Sequence, residues 1–164
     1  MLDDVDAQLL AALQFDARVS NVELARQVGM APSAVLERVR KLEERGLIRA
    51  YEAKLNARAL GIGLTAFVFV RAEERIGAQE TSLQLAEIPE VQEVHHIAGE
   101  DCYLVKLRVH DTDALASLLR ERFGSIPTIR STRTTIVLQT VKEVSTLPIP
   151  APKAGAGKGD KSRA

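Results

Sequence analysis

A basic helix predicted over residues 32–45 carries the clearest potential for chemistry in the first third of the chain. Its apolar residues recur at helical spacing and should face a core; they are Val35, Leu36, Val39 and Leu42. The predicted outward face then presents Ser33, Ala34, Glu37, Arg38, Lys41 and Arg45. Such side chains can recognise double-stranded DNA, because arginine donates to guanine or phosphate, glutamate accepts from cytosine, and alanine contacts a thymine methyl. The alternative is a plain helical core with a solvated charged exterior, in which Glu37 pairs with Lys41.

The residues before this helix have the spacing that would place its outward face on DNA. Ser20 and Glu23 form a capping box, and Gly29 stands where a helix needs a left-handed C-cap. A short helix, a turn and a second helix over residues 20–40 are typical of a helix-turn-helix, whose second helix enters the major groove. The candidate DNA contacts are Ser20, Asn21, Pro32, Ser33, Ala34, Glu37, Arg38, Arg40 and Lys41.

The charge distribution favours a polyanion partner for this segment alone. The 164 residues include 22 basic and 22 acidic side chains, so the whole chain is neutral. Residues 26–58, however, hold eight basic residues against four acidic ones. A composition of 46% hydrophobic and 27% charged residues is typical of a globular protein and excludes a collagen or a fully disordered chain. No apolar run approaches the ~18 residues of a membrane span and no signal peptide follows Met1, so we expect a cytoplasmic protein without a membrane partner.

The positions of the three histidines and the single cysteine do not indicate a metal site or a catalytic site. His95 and His96 are adjacent in a predicted strand and should point to opposite faces, so they cannot chelate one ion together. His110 lies a whole strand and hairpin away. A single cysteine, Cys102, excludes an intramolecular disulfide and a zinc site built on several cysteines. We therefore expect no metal, no cofactor and no catalytic residue.

The elements that position these residues fall into two groups. Residues 1–48 read as three helices, and residues 47–51 have strand character. Further on, the periodicity predicts strands over 64–72, 91–97, 103–109 and 129–144, with helices over 79–88 and 111–123. The order β-α-β-β-α-β is that of a ferredoxin-like domain, so the fold class is α+β. We expect a disordered basic tail over residues 147–164, which are rich in Pro, Ala, Gly and Lys.

The first strand of the second group bears on assembly. Ala66, Val68 and Val70 alternate with Phe67 and Phe69, so both of its faces are largely apolar. Two helices can cover one face of a four-stranded sheet but not both. We therefore expect the other face to pack against a second copy of the chain. The alternative is a strand buried entirely within one chain.

Several runs of residues, in order and without large gaps over residues 2–144, resemble the Lrp/AsnC ("feast/famine") regulators. In the first half these are Asp3-Asp4-Val5-Asp6 followed by Leu9-Leu10, Ser20-Asn21-Val22-Glu23-Leu24-Ala25, and the stretch 33–48. In the second half they are Leu60-Gly61 before the stretch 65–70, the stretch 131–138, and Val141-Lys142-Glu143. One departure is that Ala31 occupies the cap position before the recognition helix, where the family often has Ser or Asn. We expect this helix start to rely on Pro32 and Ser33 instead.

The resemblance implies a winged helix-turn-helix domain joined to an αβ effector domain. The corresponding boundaries are residues 1–50 for the DNA-binding domain, 51–63 for a linker and 64–146 for the effector domain. The resemblance also implies homodimers that bind palindromic operators and often assemble into an octamer of four dimers. It implies a small-molecule effector, usually an amino acid, bound at contacts between effector domains.

A loop at residues 99–103 matches the position of the family's effector loop. Gly99 permits close backbone approach, Glu100 or Asp101 can take an ammonium group, and Tyr103 can supply an amphipathic wall. The family's usual acidic position holds Cys102, so the role of that acid does not carry over. The candidate effector contacts are Gly99, Glu100, Asp101, Cys102, Tyr103, Thr134 and Thr135. The alternative is an ordinary hairpin turn, with both threonines acting only as strand formers.

Two other functions remain open from the sequence. Some tetrapyrrole decarboxylases resemble this family in fold, and an enzyme of that kind would need a cofactor-sized pocket with a catalytic His or Arg. An architectural DNA binder would ignore small molecules altogether. A ligand that raises thermal stability would argue against the architectural binder, because a ligand selective for the native state must stabilise it.

Overall fold

The computed structural model describes residues 2–75 and 77–149, which divide into two compact units. The first comprises residues 2–54 together with 143–149, and the second comprises residues 55–142. Most of the tail predicted to be disordered, residues 150–164, lies outside the described residues. Among the described residues, no helix is long and apolar enough to cross a membrane.

The first unit contains three helices that begin and end where local signals place them. α1 spans Asp4–Phe15, α2 spans Asn21–Val28 and α3 spans Pro32–Glu44. The Ser20 hydroxyl accepts a hydrogen bond from the backbone N–H of Glu23, and Gly29 ends α2 at φ +67°. α3 starts with proline in its first turn and without a side-chain cap from Ala31, as the sequence predicts. The three helices bury a small core of Leu9, Leu24, Ala25, Val35, Val39 and Leu42.

The strand predicted over residues 47–51 is wrong. Residues 47–63, all of which the structure describes, contain no strand, so no paired wing forms there. Instead, the backbone N–H groups of Leu47 and Ile48 both donate to the carbonyl of Leu42 and close the end of α3. The N–H and C=O groups of an extended segment need a neighbouring strand, and residues 47–51 have none in this chain.

The second unit is a four-stranded antiparallel sheet with helices on one face. Its elements are β1 (Leu64–Ala72), α4 (Glu80–Ala86), β2 (Val91–His96), β3 (Tyr103–Val109), α5 (Thr112–Leu118) with a π-helical continuation (Leu119–Phe123), and β4 (Ile129–Ile136). The strand order is β2-β3-β1-β4, and all neighbours are antiparallel. This topology confirms the predicted ferredoxin-like α+β fold.

The register separates two faces of this sheet. Ala66, Val68 and Val70 of β1 are fully buried beneath residues of α4 and α5, including Leu85 and Leu115; we call this the helix-covered face. Phe67 and Phe69 of β1 point to the opposite side, which we call the open face. β4 ends at Ile136, the register partner of Ala66, rather than at residue 144. The Val137 N–H makes one more hydrogen bond, to the carbonyl of Thr65, and β1 begins at Leu64, so residues 139–144 have no partner on β1.

The boundaries of the two units differ from those predicted for the domains. Residues 55–63 belong to the second unit, where the Nδ1 atom of His110 lies 2.7 Å from the carbonyl oxygen of Gly61. Residues 143–149 belong to the first, because the Gln14 side chain makes two hydrogen bonds to the backbone of Leu147, at 2.6 and 3.1 Å. These contacts join residues that are far apart in the sequence, so local sequence patterns cannot predict the domain boundaries that they set.

Candidate functional site

The exposed surface of α3 is a polar strip of alternating charge. Ser33, Glu37, Arg40 and Glu44 all lie on it. The Arg40 Nε atom donates to Glu44 at 2.9 Å, and the Lys41 ammonium lies 3.8 Å from Glu37. These pairs follow i,i+4 spacing and are solvent-exposed, so they contribute little to stability and can be replaced by contacts to another molecule.

The structure corrects which side chains α3 presents outward. Leu36 is predicted to be in the core, yet 55% of its surface is exposed. Arg38 is predicted to face outward, yet it is half-buried and turned towards α1. Residues advance by about 100° per position on a helix. The buried line of Val35, Val39 and Leu42 therefore leaves Leu36 and Arg38 on opposite flanks, and the contact with α1 decides which flank is covered.

Arg38 is held by two carboxylates of the first helix. Its Nη1 atom donates to Asp3 Oδ2 at 2.7 Å and to Asp6 Oδ1 at 2.8 Å. Asp6 is only 7% exposed, and a second cation, Arg45, lies 3.8 Å from its other oxygen. A hydrogen bond from the backbone of Asp6, followed by the Arg38 guanidinium, lowers the pKa of Asp3. The pair of Arg38 with Asp6 therefore compensates a buried charge and fixes α3 against α1.

Further candidate DNA contacts lie at the starts of α2 and α3. Ser20 is exposed, but its hydroxyl oxygen already caps α2. Asn21 is half-buried, and Pro32 and Ser33 are exposed at the first turn of α3. The structure thus brings these residues into one helix-turn-helix, with α2 and α3 joined through the left-handed turn at Gly29.

The loop at residues 97–103 is a closed hairpin between β2 and β3. The Ile97 N–H donates to the carbonyl of Cys102, and the Cys102 N–H donates to the carbonyl of Val70. Gly99 has φ +143°, a conformation that other residues rarely adopt, and nothing lies within 4 Å of a Cβ added there. The Cys102 thiol donates to the carbonyl of Ala72 at 3.2 Å, so it is turned towards β1 rather than outward.

Tyr103 lies on the helix-covered face and is not part of an exposed wall. Only 3% of it is exposed, and its hydroxyl donates to Glu74 Oε2 at 2.8 Å. Burial and the neighbouring Glu74 raise the pKa of Tyr103 to about 12. The His96 ring lies 5.2 Å from the Tyr103 ring on the same face. The buried Tyr103 side chain and its hydrogen bond to Glu74 therefore fix the end of the loop where β3 begins.

Glu74, which the sequence does not single out, is the centre of a buried polar network. Its Oε1 atom accepts hydrogen bonds from the backbone N–H and the hydroxyl of Thr81, at 2.7 and 2.6 Å. The Thr81 hydroxyl also lies 2.6 Å from the hydroxyl of Thr128. Burial, the largest single influence, opposes ionisation, but the hydrogen bonds from Thr81 and Tyr103 outweigh it and lower the pKa of Glu74. This network ties the end of β1 to the start of α4 and the start of β3.

On the open face, Asp101 meets a residue that the sequence analysis missed. Asp101 Oδ2 accepts from Arg133 Nη2 at 3.0 Å. The Arg133 guanidinium also lies 4.0 Å from the centroid of the Phe69 ring, its register partner on β1. The signal that could have found it is a basic residue in a threonine-rich strand, since Arg133 lies directly between Thr132 and Thr134.

The two threonines proposed to complete the loop site lie on different faces. Thr134 pairs with Val68 on the helix-covered face, and Thr135 pairs with Phe67 on the open face. The structure thus brings Asp101 together with Arg133 and leaves Gly99 and Glu100 exposed at the loop tip. It places Tyr103 and Thr134 on the opposite face.

The histidines also divide between the two faces. His95 lies on the open face with Nε2 3.0 Å from Glu93, whereas His96 is the register partner of Tyr103 on the helix-covered face, where its solvent-exposed ring lies tilted against the Tyr103 ring. Among the residues that the structure describes, no group of three or more His, Cys, Asp or Glu side chains is arranged to hold a metal ion.

Comparisons with known proteins cover both units. The AsnC-type helix-turn-helix domain model matches residues 2–43, and the Lrp/AsnC ligand binding domain model matches residues 65–147. The leucine-responsive regulatory protein of Salmonella typhimurium is 40% identical over 152 residues, which cover 90% of this chain and 92% of that protein.

Solved structures of similar proteins share the whole architecture. A transcriptional regulator from Neisseria meningitidis, solved with L-methionine, has a TM-score of 0.85 and 29% identity over 90% of this chain and 97% of its own. A feast or famine regulatory protein from M. tuberculosis, also solved with L-methionine, has a TM-score of 0.83 and 36% identity over 92% of this chain and 100% of its own.

Proposed function

Because the chain belongs to the Lrp/AsnC family of DNA-binding transcriptional regulators, we propose that it binds palindromic operators through α2 and α3 and changes that binding when an amino acid occupies the loop at residues 97–103. The observation that carries this proposal is the order of two family matches on one chain, a helix-turn-helix domain over residues 2–43 and a ligand-binding domain over 65–147. A coupled sensor needs both parts, since an effector alters affinity only by favouring one state of the DNA-binding part.

In this proposal, the exposed strip of α3 reads the operator. Ser33, Glu37 and Arg40 face solvent, and the exposed pair of Arg40 with Glu44 is weak enough to open for a base edge. Ala34 and Lys41 flank this strip, while Ser20, Asn21 and Pro32 approach the phosphates at the helix starts. Arg38 has a positioning role, because its Nη1 atom stays with Asp3 and Asp6 while its remaining N–H groups can donate to a phosphate.

We place the amino acid at the tip of the loop, on the open face. Gly99 leaves free space there, and Glu100 and Asp101 supply the acidic groups that an ammonium needs. Cys102 and Tyr103 hold the loop from the inner side through Ala72 and Glu74. Thr134 lies on the helix-covered face opposite Val68, and Thr135 lies on the open face opposite Phe67. L-Methionine is the first candidate ligand because two structural relatives were solved with it, and leucine is the second because of the name of the similar Salmonella regulator.

We further propose that the open face contacts a second copy of the chain, giving a homodimer that assembles into an octamer. Phe67 and Phe69 are only half-buried there, and neither α4 nor α5 covers them in the part of the second unit that the structure describes. The face is not apolar throughout, because Lys106 pairs with Glu93 at 3.0 Å beside them. A mixed face of this kind suits an interface with a polar rim.

The test is a thermal-shift screen of the full chain against the twenty amino acids, followed by DNA binding with and without the ligand that shifts the melting temperature most. The DNA probe is a duplex selected by the protein from a random pool. We expect one or a few amino acids to raise the melting temperature and to change the affinity for the selected duplex. Light scattering on the same sample measures the number of subunits.

Gly99→Asp is the matched variant for this screen. An L-residue at φ +143° is strained and a carboxylate adds charge at the loop tip, so the variant should lose the amino acid response and keep its DNA affinity. A preserved response would move the effector site away from this loop. If no amino acid changes either the melting temperature or the DNA affinity, the chain is an effector-independent DNA binder.

A further inference from the structure

We propose that residues 150–164, which we call the terminal segment, bind the phosphate backbone of DNA and are attached to the DNA-binding unit through Gln14. Contacts to phosphates carry no sequence information, so the segment adds affinity for any duplex without a preference among bases. The inference rests on the proposed function of α2 and α3 and extends the surface that meets the DNA.

The composition of the terminal segment suits a phosphate backbone. Among its 15 residues, one is acidic and four are basic, namely Lys153, Lys158, Lys161 and Arg163. The other ten are Pro, Ala, Gly and Ser, so the segment has no large apolar side chain that could join a core. Lysine and arginine neutralise phosphates and release the counterions that surround DNA. The match to the ligand binding domain model ends at residue 147, so this charge lies outside both matched domains.

The described part of the first unit lacks the net positive charge that favours attraction to DNA. Residues 2–54 and 143–149 together carry eight basic and ten acidic side chains. With the terminal segment, the totals become twelve basic and eleven acidic side chains. The terminal segment therefore reverses the sign of the net charge of the unit that binds DNA in the proposed function.

The acidic side chains of α2 and α3 are poor alternative partners for the terminal segment. Three of the four already pair with a cation on the same helix: Glu23 with Arg26, Glu37 with Lys41, and Glu44 with Arg40. Double-stranded DNA instead carries one negative charge about every 1.7 Å, compensated by counterions that leave when lysine or arginine binds. The terminal segment therefore gains more from DNA than from these helices.

A described contact holds the start of the terminal segment on the first unit. The Leu147 N–H donates to Gln14 Oε1 at 2.6 Å, and Gln14 Nε2 donates to the Leu147 carbonyl at 3.1 Å. One side-chain amide thus satisfies both backbone groups of Leu147, as a neighbouring strand would. Since residue 150 follows shortly after Leu147, this contact fixes where the terminal segment leaves the unit.

Gln14 lies close in the chain to the proposed DNA surface. It is in the last turn of α1, and Ser20, the cap of α2, follows six residues later. Six residues span at most about 20 Å, and fifteen span at most about 50 Å. One turn of a DNA helix is ~34–36 Å long. The terminal segment is therefore long enough to reach phosphates beyond those beside the start of α2.

The experiment compares the full chain with a chain that ends at Ile149, which keeps the contact between Leu147 and Gln14. Fluorescence anisotropy measures the affinity of each for the selected duplex and for a scrambled duplex, between about 50 and 200 mM KCl. The shortened chain should bind both duplexes at least about tenfold more weakly at the lowest salt. Its plot of log affinity against log salt should be shallower by about 3 per chain, because up to four phosphate contacts are lost.

A full-length variant tests the charge without shortening the chain. It combines Lys153→Gln, Lys158→Gln, Lys161→Gln and Arg163→Gln and should give the same shallower slope as the shortened chain. Arg163→Lys alone is the matched control, because it keeps the charge and should leave both the affinity and the slope unchanged.

Gln14→Ala tests the attachment. The terminal segment then remains on the chain but is no longer held near α2, so part of the affinity that the shortened chain loses should be lost here too. Gln8→Ala is the matched control, since Gln8 is an exposed glutamine of the same helix. It should bind both duplexes as the wild type does.

Three results would contradict the inference while the full chain still binds the selected duplex. A wild-type slope in the shortened chain or in the four-Gln variant would show that the terminal segment does not contact phosphates. An altered number of subunits in the shortened chain, with a wild-type slope in the four-Gln variant, would assign the segment to assembly. Wild-type affinity in Gln14→Ala would remove the role of the contact with Leu147. A full chain that binds neither duplex would instead overturn the proposed function, and this inference with it.

Discussion

The two units each contain an arginine–aspartate pair joined across 32 residues of sequence, and the surroundings of the pairs differ. In the first unit, Arg38 reaches Asp6 at 2.8 Å, and the side chain of Asp6 is only 10% exposed. In the second, Arg133 reaches Asp101 at 3.0 Å, and the two side chains are 63% and 26% exposed. Similar distances therefore accompany very different degrees of solvation.

The difference separates a pair that is needed for folding from one that solvent reaches. Removing one member of a buried pair leaves an uncompensated charge, which is strongly destabilising. An exposed pair contributes little to folding, because water solvates each partner almost as well as the other side chain does. The geometry of an ion pair alone thus does not reveal its role, and burial has to be known as well.

Of the two ion pairs, the buried one should give the larger effect when it is broken. Arg38→Ala should lower the free energy of unfolding of the first unit by about 3 kcal/mol, because the nearly buried Asp6 side chain then has only Arg45, at 3.8 Å, as an ion-pair partner. Urea denaturation followed by circular dichroism measures this loss.

Arg40→Ala is the control for that measurement, since Arg40 forms an exposed pair on the same helix and should change stability by under about 0.5 kcal/mol. Equal effects of the two substitutions would show that burial does not distinguish the pairs. Because Arg38 also stands near the proposed DNA surface, DNA affinity should be compared only under conditions in which both variants are folded.

The next effect concerns Glu74, whose network anchors the loop that carries Asp101. Glu74→Gln should cost about 1–2 kcal/mol, because a neutral amide accepts more weakly from Thr81 and Tyr103 than a carboxylate does. The folded-state pKa of Glu74 lies below its usual 4.5, so its contribution is complete above that pH and is lost as the pH falls below it. The free energy of unfolding of the wild type should therefore exceed that of Glu74→Gln at pH 7, and the difference should shrink as the pH falls below 4.5. Urea denaturation of both chains at pH 7 and at acid pH measures it.

Tyrosine absorbance gives an independent check on the same network. Burial together with Glu74 raises the pKa of Tyr103 to about 12, and burial together with Glu43 does the same for Tyr51. Both tyrosines of the native chain should thus be about 1% ionised at pH 10, where a free tyrosine is about half ionised. In a Tyr51→Phe chain, which lacks the half-exposed tyrosine, a step in absorbance at pH 10 would contradict the buried position of Tyr103.

A smaller effect is expected from the exposed pair itself. Arg133→Gln should change the free energy of unfolding by less than about 1 kcal/mol, including the loss of its contact with Phe69. Thermal denaturation of the unliganded chain measures it. A loss as large as that of Arg38→Ala would mean that Arg133 is a structural residue.

The smallest effect on stability is expected for Leu36→Ala, because this side chain is 55% exposed and outside the core. We expect under about 0.5 kcal/mol, against about 2–5 kcal/mol for Leu42→Ala, which empties a fully buried position of the same helix. Denaturation of the two variants side by side tests whether α3 is oriented as described.

Local signals predict the elements of this protein well. Ser20, Gly29 and Pro32 mark the ends of α2 and α3, and alternating apolar residues mark β1. The prediction failed for residues 47–51 and for the end of β4, because a strand depends on a partner that the segment itself does not contain. The candidate site residues fall on α2, α3, the loop between β2 and β3 and β4, as the sequence predicts for these elements, but the predicted orientation of Leu36 and Arg38 was reversed.

By itself, the sequence determined the order of the helices and strands, the helix-turn-helix, the ferredoxin-like topology and the family. Caps, turns and periodicity act between residues that are close along the chain, so they can be read from consecutive letters. Only the tertiary structure decided that Arg38 belongs to Asp6, that Tyr103 turns inward to Glu74, and that Arg133 meets Asp101 over Phe69. Each of these contacts joins different elements, and which flank of a helix or face of a strand is covered depends on the elements that pack against it.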